Sequence, residues 1–348
     1  MPEFGDLSLP ANLAVFAAAA AVVWLAGTRI AGYASTLAER TGIGKAVVGA
    51  LLLGGITSLP EIATTGSAAA SGNAALAVNN LLGGVAMQVG ILALADAAIG
   101  RGALSAIVAR PTVLLQATLN ILLLALVAIG ITAGDVPFLG LGAWTAAIAV
   151  VYLAAMVIIG RSQAPEAWRP GRVVAGGAAG ETARKAAKET RSTGRVAAYT
   201  AVAGAAIFVA GYVLARVGDA LAEQTGLGAS FVGAVLVAIA TSLPEVSSTL
   251  AAVRLGHREL AFGDIFGTNL FDVAAVALAD AVYAGGPVLR EVGPFSVCAA
   301  LLGMLVTGIY LAGLIERRDR VVLRMGVDSL LVLLVYLGGL ALLYRLRP

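Results

Sequence analysis

Two glutamates, Glu61 and Glu245, each directly follow a proline, and each lies in a stretch otherwise apolar enough for a lipid bilayer. The segments read Thr57-Ser58-Leu59-Pro60-Glu61 and Thr241-Ser242-Leu243-Pro244-Glu245. A proline inside a helix removes one amide donor and clashes with the carbonyl four residues back, so backbone carbonyls near Thr57 and Thr241 lose partners. In lipid such carbonyls must face protein, water or an ion. Carbonyl oxygens, hydroxyls and a carboxylate are the ligands that hard cations such as Na⁺ and Ca²⁺ require. Thr57 and Glu61 share a helix face if the helix persists, and Thr241 with Glu245 forms the matching set. A carboxylate at mid-membrane costs on the order of 3 kcal/mol or more. Two are intelligible if they meet around a cation, or share a proton when the cation leaves. A kinked helix with a buried, satisfied glutamate is the rival reading of each copy; matched positions in both copies favour the ion further.

The match extends well beyond the glutamates. Residues 41–97 and 225–281 align without a gap at an offset of 184, and 24 of the 57 aligned positions are identical. Duplicated, proline-broken, carboxylate-bearing segments are the pattern of a secondary transporter with its ion site between the repeats. The later copy continues Gly263-Asp264-Ile265-Phe266-Gly267-Thr268-Asn269-Leu270-Phe271-Asp272. There Thr268 and Asp272 share a face, and Gly263 with Gly267 lets helices approach closely. In the earlier copy, Gly84, Val85 and Gln88 stand where the later one has Thr268, Asn269 and Asp272. Asp96 and Asp280 also match, and read best as carboxylates that pack helix ends near the membrane surface; a place on an ion access path is the rival reading.

These side chains need a bundle of membrane helices to hold them. Hydrophobic residues make up 59% of the 348-residue chain and charged residues 12%, about half the charge of a soluble domain; the mean hydropathy is +0.93. Ten apolar runs are long enough to span the membrane: 11–28, 46–71, 74–99, 109–133, 137–160, 197–217, 229–254, 260–284, 293–314 and 322–344. The expected fold is all-α and integral to the membrane, with about ten helices in two five-helix repeats, 1–160 and 197–348, around a basic linker at 161–196. The leader, Met1 to Pro10, holds Glu3 and Asp6 and no basic residue, so the first run reads as a retained helix, not a secretory signal. The positive-inside rule puts the linker in the cytoplasm and the N-terminus outside. The offset between repeats contains an odd number of spans, so the repeats have inverted topology. His257, the only histidine, reads as a loop residue, and Cys298, the only cysteine, excludes an internal disulfide.

The chain resembles the cation/calcium exchanger superfamily, which includes the sodium/calcium exchangers. The resemblance rests on Thr-Ser-Leu-Pro-Glu in both copies and on the Gly263–Asp272 segment, which is similar to the family's G-N-x-x-G-S-N-x-x-N/D. It implies that Glu61 and Glu245 are the central carboxylates, with oxygens of Thr57, Ser58, Thr241 and Ser242 around them. It implies too that Thr268 and Asp272 complete one side of the ion cluster. Gly84 departs from the family by lacking a hydroxyl that helps hold Na⁺, which weakens the expectation of full sodium coupling. Gln88 is longer than the usual Asn and still offers a carbonyl oxygen. The implied function is a plasma-membrane antiporter that exports Ca²⁺ in exchange for Na⁺ or H⁺ by alternating access. Na⁺/H⁺ exchange without Ca²⁺, a channel, and a non-transporting relative are the rivals. No covalent chemistry is involved, so no enzyme and no cofactor are expected. The partners expected are small cations and lipid, not nucleic acid, and the expected state is a monomer.

Overall fold

The computed structural model describes residues 4–41, 58–99, 102–107, 111–161, 192–254 and 258–347. Thr57, His257 and residues 162–191 of the linker lie outside them. The first half contains α1 (Leu9–Thr41), α2 (Leu59–Ala70), α3 (Ala74–Ile99), α4 (Leu104–Ile107), a short hairpin of β1 (Pro137–Phe138) and β2 (Leu141–Gly142) after α5 (Pro111–Ala133), and α6 (Ala143–Arg161). The second half contains α7 (Thr193–Thr225), α8 (Ala229–Val232), a π-helical turn at Gly233–Val237, α9 (Ala238–Thr241), α10 (Leu243–Arg254), α11 (Arg258–Ala274) and α12 (Val276–Val282). It closes with α13 (Pro294–Glu316), the hairpin of β3 (Val321–Val322) and β4 (Met325–Gly326), and α14 (Val327–Leu346).

Among the described residues eight helices are long and apolar enough to cross a membrane, and the bent pair Ala229–Thr241 and Leu243–Leu250, angled at 46°, makes up to nine. The remaining expected span, 46–71, is described only in its later half, as the 12-residue α2.

The offset of 184 extends far past the aligned motif. α1 and α7 correspond end to end, as do α6 and α14 to within a residue. The two hairpins correspond pair for pair: Phe138 faces Leu141, and Val322 faces Met325. Corresponding helices pack on each other, α1 on α7 and α5 on α13, as elements astride a pseudo-two-fold axis must.

Two expected boundaries shift. The spans expected to begin at 137 and 322 begin as helices only at Ala143 and Val327, because both are preceded by two-residue hairpin turns. In these turns both central residues take positive φ: Leu139 (51°) with Gly140 (85°), and Leu323 (51°) with Arg324 (68°). That geometry matches the twist of the paired strands, although three of the four residues are not glycine. Hydropathy alone cannot distinguish an apolar hairpin such as Pro137–Gly142 from the helix it introduces. The expected 260–284 span is also interrupted, at Ala275, whereas its counterpart α3 is continuous.

α3 is the hub. Of its membrane-spanning window 83% is buried, against 17% for α1, α6 and α14, whose apolar surface faces outward. Small residues permit this burial. A Cβ on Gly83 would run into the backbone of Ala234, and one on Gly233 would lie 2.8 Å from the Leu76 carbonyl oxygen. α3 and the π-helical turn therefore meet backbone to backbone. Phe262 and Tyr310, both fully buried, pack edge to face at 5.4 Å and tie α11 to α13.

Candidate cation site

Both proline–glutamate segments start helices. Ser58 precedes α2, and Pro60 sits in its first turn, where the missing amide hydrogen costs nothing. Glu61 and Glu245 thus each fall in a first helical turn, of α2 and α10. The partial positive charge of a helix N-terminus favours a carboxylate there. The face that Thr241 and Glu245 would share on one straight helix is not formed, because Thr241 ends α9 and Glu245 opens α10 across the 46° bend. Pro244, with no amide hydrogen and a clashing ring, makes the break.

The two halves are in direct contact here. Ser242 donates to Glu61 Oε1 at 3.1 Å. Gln88 Nε2 donates to Ser242 Oγ at 3.3 Å and to Asp272 Oδ2 at 3.1 Å. Gln88 and Asp272 are counterparts 184 residues apart, and so are Val85 and Asn269, whose side-chain amide donates to the Val85 carbonyl at 3.4 Å. Counterparts that touch each other lie on the pseudo-two-fold axis, so the axis passes through this cluster. Ser58, Glu61, Gln88, Thr241, Ser242, Glu245, Thr268 and Asp272 all have zero exposure.

Many of these oxygens have no hydrogen-bond partner among the described residues. They are Ser58 Oγ, Glu61 Oε2, both carboxylate oxygens of Glu245, Gln88 Oε1, Thr268 Oγ1 and Asp272 Oδ1. A buried carboxylate without a donor is strongly disfavoured in a protein interior. A set of acceptors pointing inward is what a cation would satisfy. Among the described residues no three acidic, histidine or cysteine side chains converge tightly enough to hold a metal by themselves. The negative charge is instead spread and interleaved with hydroxyls and amides.

Some members of the network escaped the sequence reading. Asn80 accepts from Thr241 at 3.4 Å and donates to Thr65 at 3.2 Å, all three being buried. Its counterpart Asp264 accepts from Ser248 at 2.8 Å. The available signal was polarity retained at one repeat position, amide in one copy and carboxylate in the other. Gly84 faces the cluster too: a Cβ there would meet only Ser242 Oγ, at 3.8 Å.

Residues 11–160 and 195–345 match the family described as sodium/calcium exchanger protein. The chain belongs to that family. Among its relatives, the inner membrane protein YrbG of Escherichia coli K12 is 34% identical over 132 residues, 37% of this chain and 38% of that protein. The curated relatives are each matched over less than two fifths of their length. Two solved structures are similar over 96% of the chain. The H⁺/Ca²⁺ exchanger CAX has a TM-score of 0.70 at 12% identity and is covered over 85% of its length. The sodium-calcium exchanger NCX_Mj has a TM-score of 0.60 at 16% identity and is covered over 99%. The fold is therefore the family's all-α membrane fold of two inverted five-helix repeats.

Proposed function

We propose that this chain is a secondary-active antiporter that moves Ca²⁺ against Na⁺ or H⁺ through the cluster on the pseudo-two-fold axis. One observation carries the reading: Glu61, Ser242, Gln88 and Asp272, drawn from both repeats, form one fully buried network with unpartnered oxygens. The ligand set is Glu61, Glu245, Ser58, Thr241, Ser242, Thr268, Asp272 and Gln88, with Thr57 beside Ser58. Its oxygens suit a hard divalent cation. Substrate and counter-ion use overlapping carboxylates, so each displaces the other, and alternating access to the inverted repeats turns that competition into exchange. The exported ion leaves across the cell membrane, with the linker on the cytoplasmic side. The chain acts as a monomer without a cofactor.

The counter-ion divides two versions. Gly84 lacks a hydroxyl, and the amide of Gln88 donates to Asp272, which reduces the oxygens open to Na⁺ and favours H⁺. Purified protein in liposomes, loaded with Na⁺ or with acid and given external Ca²⁺, separates them. Ca²⁺ uptake driven by Na⁺ supports sodium coupling, and uptake driven only by acid supports proton coupling. No Ca²⁺ uptake under either gradient refutes Ca²⁺ antiport.

A further inference from the structure

The two ends of the cluster are built differently. Toward one end, Asn80 and Thr65 close the first repeat with a neutral, fully buried amide–hydroxyl pair, and Thr64 is buried and donates to the Gly211 carbonyl. The counterparts in the second repeat are Asp264, Thr249 and Ser248. Asp264 is a carboxylate where Asn80 is an amide, and both Asp264 and Ser248 are partly buried where Asn80 and Thr64 are fully buried. Thr249 Oγ1 is fully buried with no partner among the described residues, whereas Thr65 accepts from Asn80. An amide both donates and accepts, so Asn80 can seal its own network. A carboxylate only accepts; Asp264 accepts from Ser248, and the Thr249 hydroxyl is left without a partner among the described residues.

The same interface runs inward. Glu245, Ser248 and Thr249 lie on one face of α10, and Asp264, Thr268 and Asp272 on one face of α11; these helices pack together. Glu245, Thr249, Thr268 and Asp272 together present a file of buried oxygens without partners among the described residues. Asp264 is six residues into α11 and Asp272 fourteen. At 1.5 Å per residue, Asp264 sits about 12 Å closer to the membrane face where α10 ends and α11 begins.

We propose that Asp264, oriented by Ser248, is a cation-docking carboxylate outside the central site: it takes a partly hydrated divalent cation from that one face and passes it along the α10–α11 oxygens to Glu245 and Asp272. The inference rests on the antiport reading above. It makes the transporter functionally lopsided, because the counterpart of Asp264 in the first repeat is the neutral, buried Asn80.

The test is Asp264→Asn, which installs the residue that the other repeat already uses. Ca²⁺ uptake is measured in right-side-out and everted membrane vesicles, with Asp264→Glu as the charge-conserving control and Ser248→Ala as a second variant. Losing one partly buried charge is expected to raise the half-saturating Ca²⁺ concentration about three- to tenfold on the α10–α11 face. It should leave the opposite face unmoved, with Asp264→Glu near wild type and Ser248→Ala in between. Equal shifts on both faces would place Asp264 in the central site and overturn the proposal, as would no shift on either. If the wild type moves no Ca²⁺, the antiport reading fails and Ca²⁺ titration of thermal unfolding in detergent decides separately. Stabilisation that needs more Ca²⁺ in Asp264→Asn than in wild type supports the docking carboxylate, and superimposable curves overturn it.

Discussion

At the scale of single residues, the unpartnered carboxylate of Glu245 separates function from stability. Both its oxygens are buried without donors among the described residues, so Glu245→Gln removes a costly charge and breaks no hydrogen bond there. Without Ca²⁺ the variant should unfold at the same or a higher temperature than wild type. Its Ca²⁺-dependent stabilisation should vanish, as read by differential scanning fluorimetry in detergent. Glu61 differs, since it accepts from Ser242; Glu61→Gln should weaken apparent Ca²⁺ affinity by about ten- to a hundredfold in liposome uptake. Gly84 offers the opposite experiment. With only Ser242 Oγ near its virtual Cβ, at 3.8 Å, Gly84→Ser has room for its Cβ and gains about 0.5 kcal/mol of helix propensity. It also returns a hydroxyl to the cluster, and the ratio of Na⁺-driven to H⁺-driven Ca²⁺ uptake should rise. An unchanged ratio would remove Gly84 from the account of coupling.

At the scale of elements, two carboxylates lock α3 and α12 to the hairpins of the opposite half. Asp96, eight residues after Gln88, accepts from Leu104 N at 3.0 Å, Gly326 N at 2.7 Å and Ser329 Oγ at 2.6 Å. Asp280, eight residues after Asp272, accepts from the counterparts Val288 N, Gly142 N and Thr145 Oγ1, each at 2.5 Å. With three donors apiece both oxygens of each carboxylate are satisfied, which suits helix-end packing. They also hold the two hairpin turns, whose positive-φ Leu139, Leu323 and Arg324 cost about 1 kcal/mol each. Asp280→Asn keeps the shape and loses the charge-assisted bonds. It should lower stability by about 1–3 kcal/mol, with Asp96→Asn equivalent, as measured by thermal unfolding. Gly83→Val tests a different joint. Its side chain would collide with the Ala234 backbone, prising α3 from the π-helical turn, and folded yield should collapse, as seen by size-exclusion chromatography.

At the scale of the whole molecule, elements repeated at one offset bring a single buried polar cluster onto their axis. If the site opens to either face in turn, reversing both ion gradients in the same liposomes should reverse the Ca²⁺ flux. The flux should saturate and should need counter-ion on the opposite side; a non-saturating flux indifferent to the counter-ion would indicate a channel. Much of this architecture was legible in the chain, because spans follow from hydropathy and the repeat from identical residues at a constant spacing. Glu61, Glu245 and Asp272 were legible too, since a carboxylate in an apolar segment is costly wherever the chain leads. The hairpins before α6 and α14 were not, because apolar residues in a turn read like the helix that follows. Nor was the divide between Asn80 and Asp264. Sequence shows an amide in one repeat and an acid in the other, but only packing decides that the amide closes a fully buried network while the acid stays only partly buried. Composition and spacing determined the membrane bundle, its duplication and the acids it must bury. Tertiary structure decided which oxygens from the two halves meet, because hydrogen-bond partners depend on how backbones approach across the axis.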